Sequence, residues 1–361
     1  MSSAEKNTDG DPRPTFLGGL IAVFLGFVLL VVGAEAVLRV TTPEWSEFYA
    51  GRFMKHEGIP GYGTLVVGIP GFDGWFSQNN GDFRSHLKFN DIGLRNDEPG
   101  ATADGRVWIV GDSMAFGWGV DGAQNYTSVL AQISGQKTYN VASPGTDVCG
   151  YEALLARMPI NVKPRAVILG LIIENDLSVY HCLRGTGPKD IEAHLPDDDV
   201  SLLGIKLFLT EHSALYNVLA VTFKRIPAIV TVLERLKLLE EPQHYRRNRT
   251  PEELNAVIQS TADEVAYVRT LLPANVPFAV LIAPARFDIR DGDPFFAEAR
   301  TKVAAALQSD GVEVIDPIDD FRAAGFAPTH FIHDGHWSPR GHEVAATALA
   351  KWLAGALPAA Q

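Results

Sequence analysis

Five short apolar segments alternating with helical patterns predict a doubly wound α/β fold built on a parallel sheet, with one membrane-spanning helix ahead of it. Two observations carry the prediction. From Arg106 onward, strand-length apolar runs and amphipathic helices take turns. The third run, RAVILGLII (165–173), is apolar on both faces, as a central parallel strand covered by helices requires.

The elements follow in order. Residues 1–15 are polar and are expected to be a disordered tail. Phe16 to Ala34 carries no charge over nineteen residues, and a helix of that length nearly crosses a hydrocarbon core of about 30 Å. The anchor is set at 16–40, with Glu35 and Arg39 at the interface. Ala34-Glu35-Ala36 has the small-x-small pattern of a signal-peptide cleavage site, so a cleaved leader is the competing reading. Both put the bulk of the chain outside the cytoplasm, periplasmic or extracellular, if the N-terminus stays inside. Residues 41–105 are rich in Gly, Pro and aromatics, which suits short strands and turns in a juxtamembrane lead-in.

The catalytic-type domain is set at 106–361. Its strands are RVWIV (106–110), KTYNVA (137–142), RAVILGLII (165–173), PFAVLIAPA (277–285) and VEVID (312–316). Helices are expected over Asn125–Ser134, near Glu152–Met158, and over Pro251–Leu272 with Thr250 as N-cap. Two more follow at Pro294–Gln308 and from the Ser338-Pro339 pair to about Leu357. An insertion, 177–249, interrupts the rhythm. Its apolar clusters LLGIKLFL and IPAIVTVLERLKLL read either as extra packing helices or as a lid or interfacial surface over the site.

The net charge is -12 and no basic run occurs, which leaves nucleic-acid binding without electrostatic support. An acidic chain also gains nothing from an anionic lipid surface. The two cysteines, Cys149 and Cys182, lack metal-site spacing.

Four clusters carry chemistry. Gly111-Asp112-Ser113 follows the first strand, at the carboxyl edge where open α/β sheets bind ligands. Asp334-Gly335-His336 lies just before the last helix. A serine hydroxyl needs a base such as histidine, and a carboxylate fixes that histidine's tautomer. Gly145 in NVASPG and Asn175 in IEND follow the second and third strands. Their amide and carboxamide, with the Ser113 amide, are candidate oxyanion donors. Singly, each has a plainer reading: a turn for Gly111-Asp112-Ser113 and for Gly145, a helix N-cap for Asn175. His333 reads as structural, and His342, inside the last helix, as a packing or capping residue.

Taken together the clusters resemble the SGNH (GDSL-like) hydrolases, in that family's order, over about residues 90–357. FNDIGLRNDEP (89–99) resembles the lead-in of bacterial membrane-anchored members. The resemblance implies a flavodoxin-like three-layer α/β/α sandwich, a Ser113-His336-Asp334 triad, and neither metal nor cofactor. It implies a serine esterase acting on O-acyl esters, acetyl above all, of envelope or extracellular carbohydrate. An O-acyltransferase acting on polysaccharide and a lipase for lipid esters use the same triad, and a non-catalytic binding module is the remaining alternative. Three departures stand out: Glu174 where the family usually has Gly, D-x-H where many members have D-x-x-H, and the length of 177–249. If Gly145 and Asn175 converge on one oxyanion, the loops after them are neighbours. Cys149 and Cys182 then form either a disulfide between those loops or two buried thiols.

Overall fold

The computed structural model describes residues 16–78, 81–185, 202–224 and 249–357, with a few single positions between 226 and 232. The polar tail and most of the 226–239 cluster lie outside these residues.

Helix α1 spans Phe16–Thr41 and leads into a 3-10 turn, Pro43–Phe48. Strands β1 (Met54–Ile59) and β2 (Gly63–Gly68) form one antiparallel pair, β3 (Asp73–Ser77) and β4 (Arg84–Lys88) another. Then come β5 (Val107–Gly111), α2 (Ser113–Phe116), α3 (Tyr126–Ser134), β6 (Thr138–Ala142), α4 (Val148–Ala156) and β7 (Ala166–Ile172). Helices α5 (Leu202–His212) and α6 (Ala214–Lys224) lie in the insertion. The chain continues through α7 (Pro251–Thr270), β8 (Phe278–Ala283), α8 (Arg286–Asp291), α9 (Pro294–Ser309), β9 (Glu313–Ile315), α10 (Ile318–Ala324), α11 (Phe326–Thr329) and α12 (Pro339–Ala356).

Strands β6-β5-β7-β8-β9 form one sheet in that order, and every pairing is parallel. Alternation along the strands builds two cores. Trp108, Val110, Val167, Leu169, Val280 and Ile282 pack with residues of α4, α7 and α9. Val107, Ile109, Ile168, Leu281 and Ala283 face the other way, toward α3 and α12. The result is the expected doubly wound sandwich, and all seven residues of β7 are buried, as its sequence demands.

Boundaries shift where caps decide them. Helix α4 starts at Val148 rather than near Glu152, because Asp147 accepts the Gly150 N–H as N-cap. Thr250 and Glu253 close a capping box at α7, a feature worth about 1 kcal/mol. The short helices α8, α10 and α11 were not anticipated; runs of one or two turns give no readable period.

The lead-in is not a separate unit. Ile59, Leu65 and Val67 join the first core, and Phe53, Phe76, Leu87 and Phe89 the second. A two-stranded ribbon is marginal alone and gains stability by covering the sandwich. FNDIGLRNDEP supplies the seams. The Asn90 carboxamide donates to Tyr139 Oη at 2.6 Å, and Asn96 exchanges bonds of 2.8 and 2.9 Å with the Asn140 backbone on edge strand β6.

Helix α1 has a 25-residue stretch, Leu17–Thr41, whose most apolar 18-residue window has mean hydropathy 2.7 and is not buried, so it is long and apolar enough to cross a membrane. In water each bare Leu, Val or Phe would forgo about 1.5–3 kcal/mol of burial.

Candidate active site

Strand β5 ends at Gly111, whose close packing on Ala115 and Gly170 leaves no room for a side chain. Asp112 then N-caps the single-turn helix α2 by accepting the Met114 N–H at 3.0 Å. This sharp turn delivers Ser113 to the carboxyl end of the sheet. From beneath, the buried Arg95 guanidinium donates to the carbonyls of Gly117, Val120 and His86 and fixes the loop that follows. Arg95 was not singled out as part of the site; the only hint was its place in the lead-in motif.

The partner loop enters from the other end of the chain. An isolated bridge pairs His330 with Trp337, and the N–H of Phe331 bonds to the carbonyl of His336 at 2.8 Å, closing a tight loop between them. Gly335 sits at its tip with φ +87°, a left-handed backbone that favours glycine. A Cβ there would also collide with the Arg286 guanidinium. This turn makes the short D-x-H spacing workable: the His336 N–H reaches Asp334 Oδ1 at 3.3 Å, and His336 Nδ1 bonds the same oxygen.

His336 Nε2 lies 2.8 Å from Ser113 Oγ. The three predicted catalytic residues therefore meet in one hydrogen-bonded line. Burial opposes the charged imidazole, yet the Asp334 carboxylate, with help from Asp112, holds His336 above its ordinary value; Arg286 acts against this. Burial likewise works against ionised Asp334, but His336 and the Gln78 carboxamide keep it below the usual carboxylate range. Asp112, wholly buried, is pushed up to about 6 by desolvation, although the Met114 N–H, His336 and Asn175 pull it down.

Two residues of the lead-in complete this line. Gln78 donates to Asp334 Oδ2 at 2.5 Å. Asp82 accepts the backbone N–H groups of His333 at 2.8 Å and of Asp334 at 2.6 Å, and it also binds the His333 ring. Sequence reasoning missed both, since neither lies in a motif. The His333 ring is thus engaged by Asp82, whereas Ser113 is met by His336. His342 is buried in α12, where its Nδ1 accepts the Tyr126 N–H at 3.3 Å and its ring stacks on Tyr126.

A small cleft of about 50 Å³ is lined by Ser113, Asn175, Glu174, Arg286, His330 and His336, among others. Asn175 is exposed on the turn after β7. Behind it Asp176 is fully buried: its carboxylate accepts the Ile172 N–H at 2.7 Å and the Tyr151 hydroxyl at 2.9 Å. Tyr180 and Thr261 donate to its backbone carbonyl, so the turn is held from three sides. Gly145 occupies the expected loop at φ +73°, but it is exposed and does not line this cleft. Glu174, at the position the resemblance marks as unusual, accepts the Arg286 N–H and lies 3.3 Å from the Arg286 Nε.

Cys149 and Cys182 are bonded to each other, with Cα atoms 5.2 Å apart, joining the first turn of α4 to the segment that follows β7. Helices α5 and α6 contribute no residue to the cleft; they pack on α1 and on the Pro43–Phe48 turn instead of forming a lid.

Residues 239–361 match a family model described as an SGNH hydrolase-like domain, acetyltransferase AlgX. The match includes Asp334 and His336, whereas Ser113, Gly145 and Asn175 precede it. Among solved structures the chain is similar to a lipolytic protein of the G-D-S-L family from Veillonella parvula DSM 2008, at 13% identity over 68% of this chain and 96% of that one, with a TM-score of 0.37. It is also similar to a catalytic mutant of an acetylxylan esterase from Geobacillus stearothermophilus, at 12% identity over 68% and 93%, with a TM-score of 0.38. No curated protein sequence matches the chain.

Proposed function

We infer that this member of the SGNH-like superfamily works by acyl transfer through Ser113, taking a small acyl group, acetyl above all, from an ester of extracytoplasmic carbohydrate. The observation that carries the reading is the 2.8 Å approach of His336 Nε2 to Ser113 Oγ, with Asp334 on the far ring nitrogen. With Nδ1–H bonded to Asp334, the Nε2 lone pair takes the Ser113 proton as Oγ attacks the ester carbonyl. The carbonyl π pair moves onto oxygen, where Asn175 and the Ser113 amide are the candidate donors. Collapse expels the alcohol, which takes the proton from His336 and leaves an acyl-Ser113. A second hydroxyl gives its proton to His336 as its oxygen attacks that acyl group, and collapse breaks the bond to Ser113 Oγ, which takes the proton back from His336.

The size of the cleft supports a short acyl group. About 50 Å³ is far below the ~300–1,000 Å³ of pockets that enclose drug-sized ligands, so the cleft suits a short acyl group better than a long chain held within it. That disfavours the lipase alternative. The identity of the second hydroxyl separates hydrolase from transferase: water gives an esterase, a sugar hydroxyl a transferase. The family description of the C-terminal third favours keeping transfer as the second reading. The chain is held at the membrane by α1, with its catalytic domain on the outer side.

The test is trapping. Incubation with an activated acetyl ester at low pH should add one acetyl group, and peptide mapping should find it on Ser113. Adding an oligosaccharide acceptor should then discharge it to acetylated sugar if the protein is a transferase, and to acetate if it is an esterase. Acetylation elsewhere, or none while ester is consumed, would overturn the reading.

A further inference from the structure

The insertion helices meet α1 in an unusual way. Glu35 of α1 accepts the Ser213 hydroxyl and the backbone N–H groups of Ala214 and Leu215, each at 2.9 Å, and so caps the start of α6. Arg39, one turn further on and paired with Glu35, donates to the His212 carbonyl at the end of α5 at 2.6 Å. One ion pair on the anchor therefore closes both free helix ends at the α5–α6 joint. The Arg39 guanidinium also lies 4.6 Å from the centre of the Trp45 ring, and the Asn217 carboxamide donates to the Trp45 carbonyl at 3.2 Å.

The level of this joint along α1 is informative. On α1 between Leu17 and Leu30 every residue but Gly19 is exposed. Partial cover starts at Val31 and recurs at Ala34, Glu35 and Leu38, the face that meets the hairpin. At ~1.5 Å per residue the bare stretch is only about 21 Å long, short of a hydrocarbon core of about 30 Å. A bilayer spanned from Leu17 would reach about Ala36, level with the joint. Around that joint Ile205, Phe208, Leu219 and Phe223 are 41–59% exposed.

We propose that the α5–α6 hairpin is seated in the outer interface of the bilayer, with Ile205, Phe208, Leu219 and Phe223 in contact with lipid. The proposal rests on α1 being a retained anchor. The occupant of this apolar face is the lipid surface, because the two helices that expose it are joined to α1 at Glu35 and Arg39, where a span begun at Leu17 would leave the hydrocarbon core. The hairpin then acts as a collar that fixes the height of the catalytic domain. Cleavage after Ala36 would remove Glu35 and leave the start of α6 without this cap.

The test uses the full chain in phosphatidylcholine vesicles containing a lipid with a photoactivatable acyl chain, followed by peptide mapping. Adducts are expected on α1 and on the 202–224 peptides, at Phe208 or Phe223. In a Phe208→Ser/Phe223→Ser variant the adducts on 202–224 should fall at least several-fold while those on α1 and the activity on a soluble ester persist. Adducts on α1 alone in the unsubstituted chain would overturn the seating and leave the anchor standing. Protein recovered off the vesicles, with adducts on neither segment, would overturn both.

Discussion

Asp82 accepts the backbone N–H of Asp334 at 2.6 Å, so a residue between β3 and β4 holds the loop that carries the predicted catalytic carboxylate. The two are separated by 252 positions in the chain. Gln78, from the same connection, bonds the carboxylate itself. Asp82→Ala should therefore lower kcat by up to about 10²-fold, the scale of a 1 Å misplacement of a catalytic group, with KM little changed. A fragment beginning at Arg106 should be inactive even with every predicted catalytic residue present. Full activity in either protein would show that the tether is incidental.

Ser113→Ala and His336→Ala should each reduce kcat by about 10⁴–10⁶-fold, and the double variant should be little worse, because the residues work as one unit. Additive losses would mean they act independently. A fluorophosphonate probe should label Ser113 alone.

The acid limb of kcat/KM should lie above the ordinary histidine value. Activity needs neutral His336, whose pKa is raised, chiefly by Asp334 against the cost of burial, so activity falls as pH drops through that raised value. Asp334→Asn removes the raising charge and should move the limb to lower pH while cutting kcat. A limb that moves to higher pH, or stays put, would remove Asp334 from that role.

Asn175→Ala should cost about 10²–10³-fold in kcat with little change in KM, since a donor to the oxyanion acts mainly in the transition state. Gly145→Ala makes a useful contrast. Nothing lies within 4 Å of an added Cβ, so its cost comes from the positive φ alone. A rate loss matching that of Asn175→Ala would bring the Gly145 amide into the oxyanion site.

Removing the Cys149–Cys182 bond by a double serine substitution should lower stability by about 2–4 kcal/mol, given the 33-residue separation it closes. Because it ties the first turn of α4, just past the loop that carries Gly145, to the segment after Asn175, kcat should fall as well. Mass spectrometry of protein isolated from its membrane without reductant should find no free thiol; two free thiols would remove the bond and weaken an extracytoplasmic placement.

Much of this molecule is local and so can be read directly. Strand β7 is apolar throughout because helices cover both its faces. The Thr250 cap, Pro251 and Glu253 announce α7. The uncharged run of α1 meets a length criterion that needs no fold. The four chemical clusters were visible because each is a short motif at an element boundary: three follow strands, where the geometry of a parallel sheet collects ligands, and Asp334-Gly335-His336 precedes the last helix. What tertiary structure alone decided is whatever depends on contacts between distant segments. It merged the lead-in with the sandwich, placed Gln78 and Asp82 behind Asp334, paired Glu174 with Arg286, and left Gly145 outside the cleft. It also sent the insertion helices to α1 instead of over the site. The reason is physical. Apolar period and capping chemistry act within a few residues of the chain and leave a signature there. A hydrogen bond across 252 positions forms only after the sheet has brought its ends together, and a single Asp or Gln in a loop carries no mark of the partner it will meet.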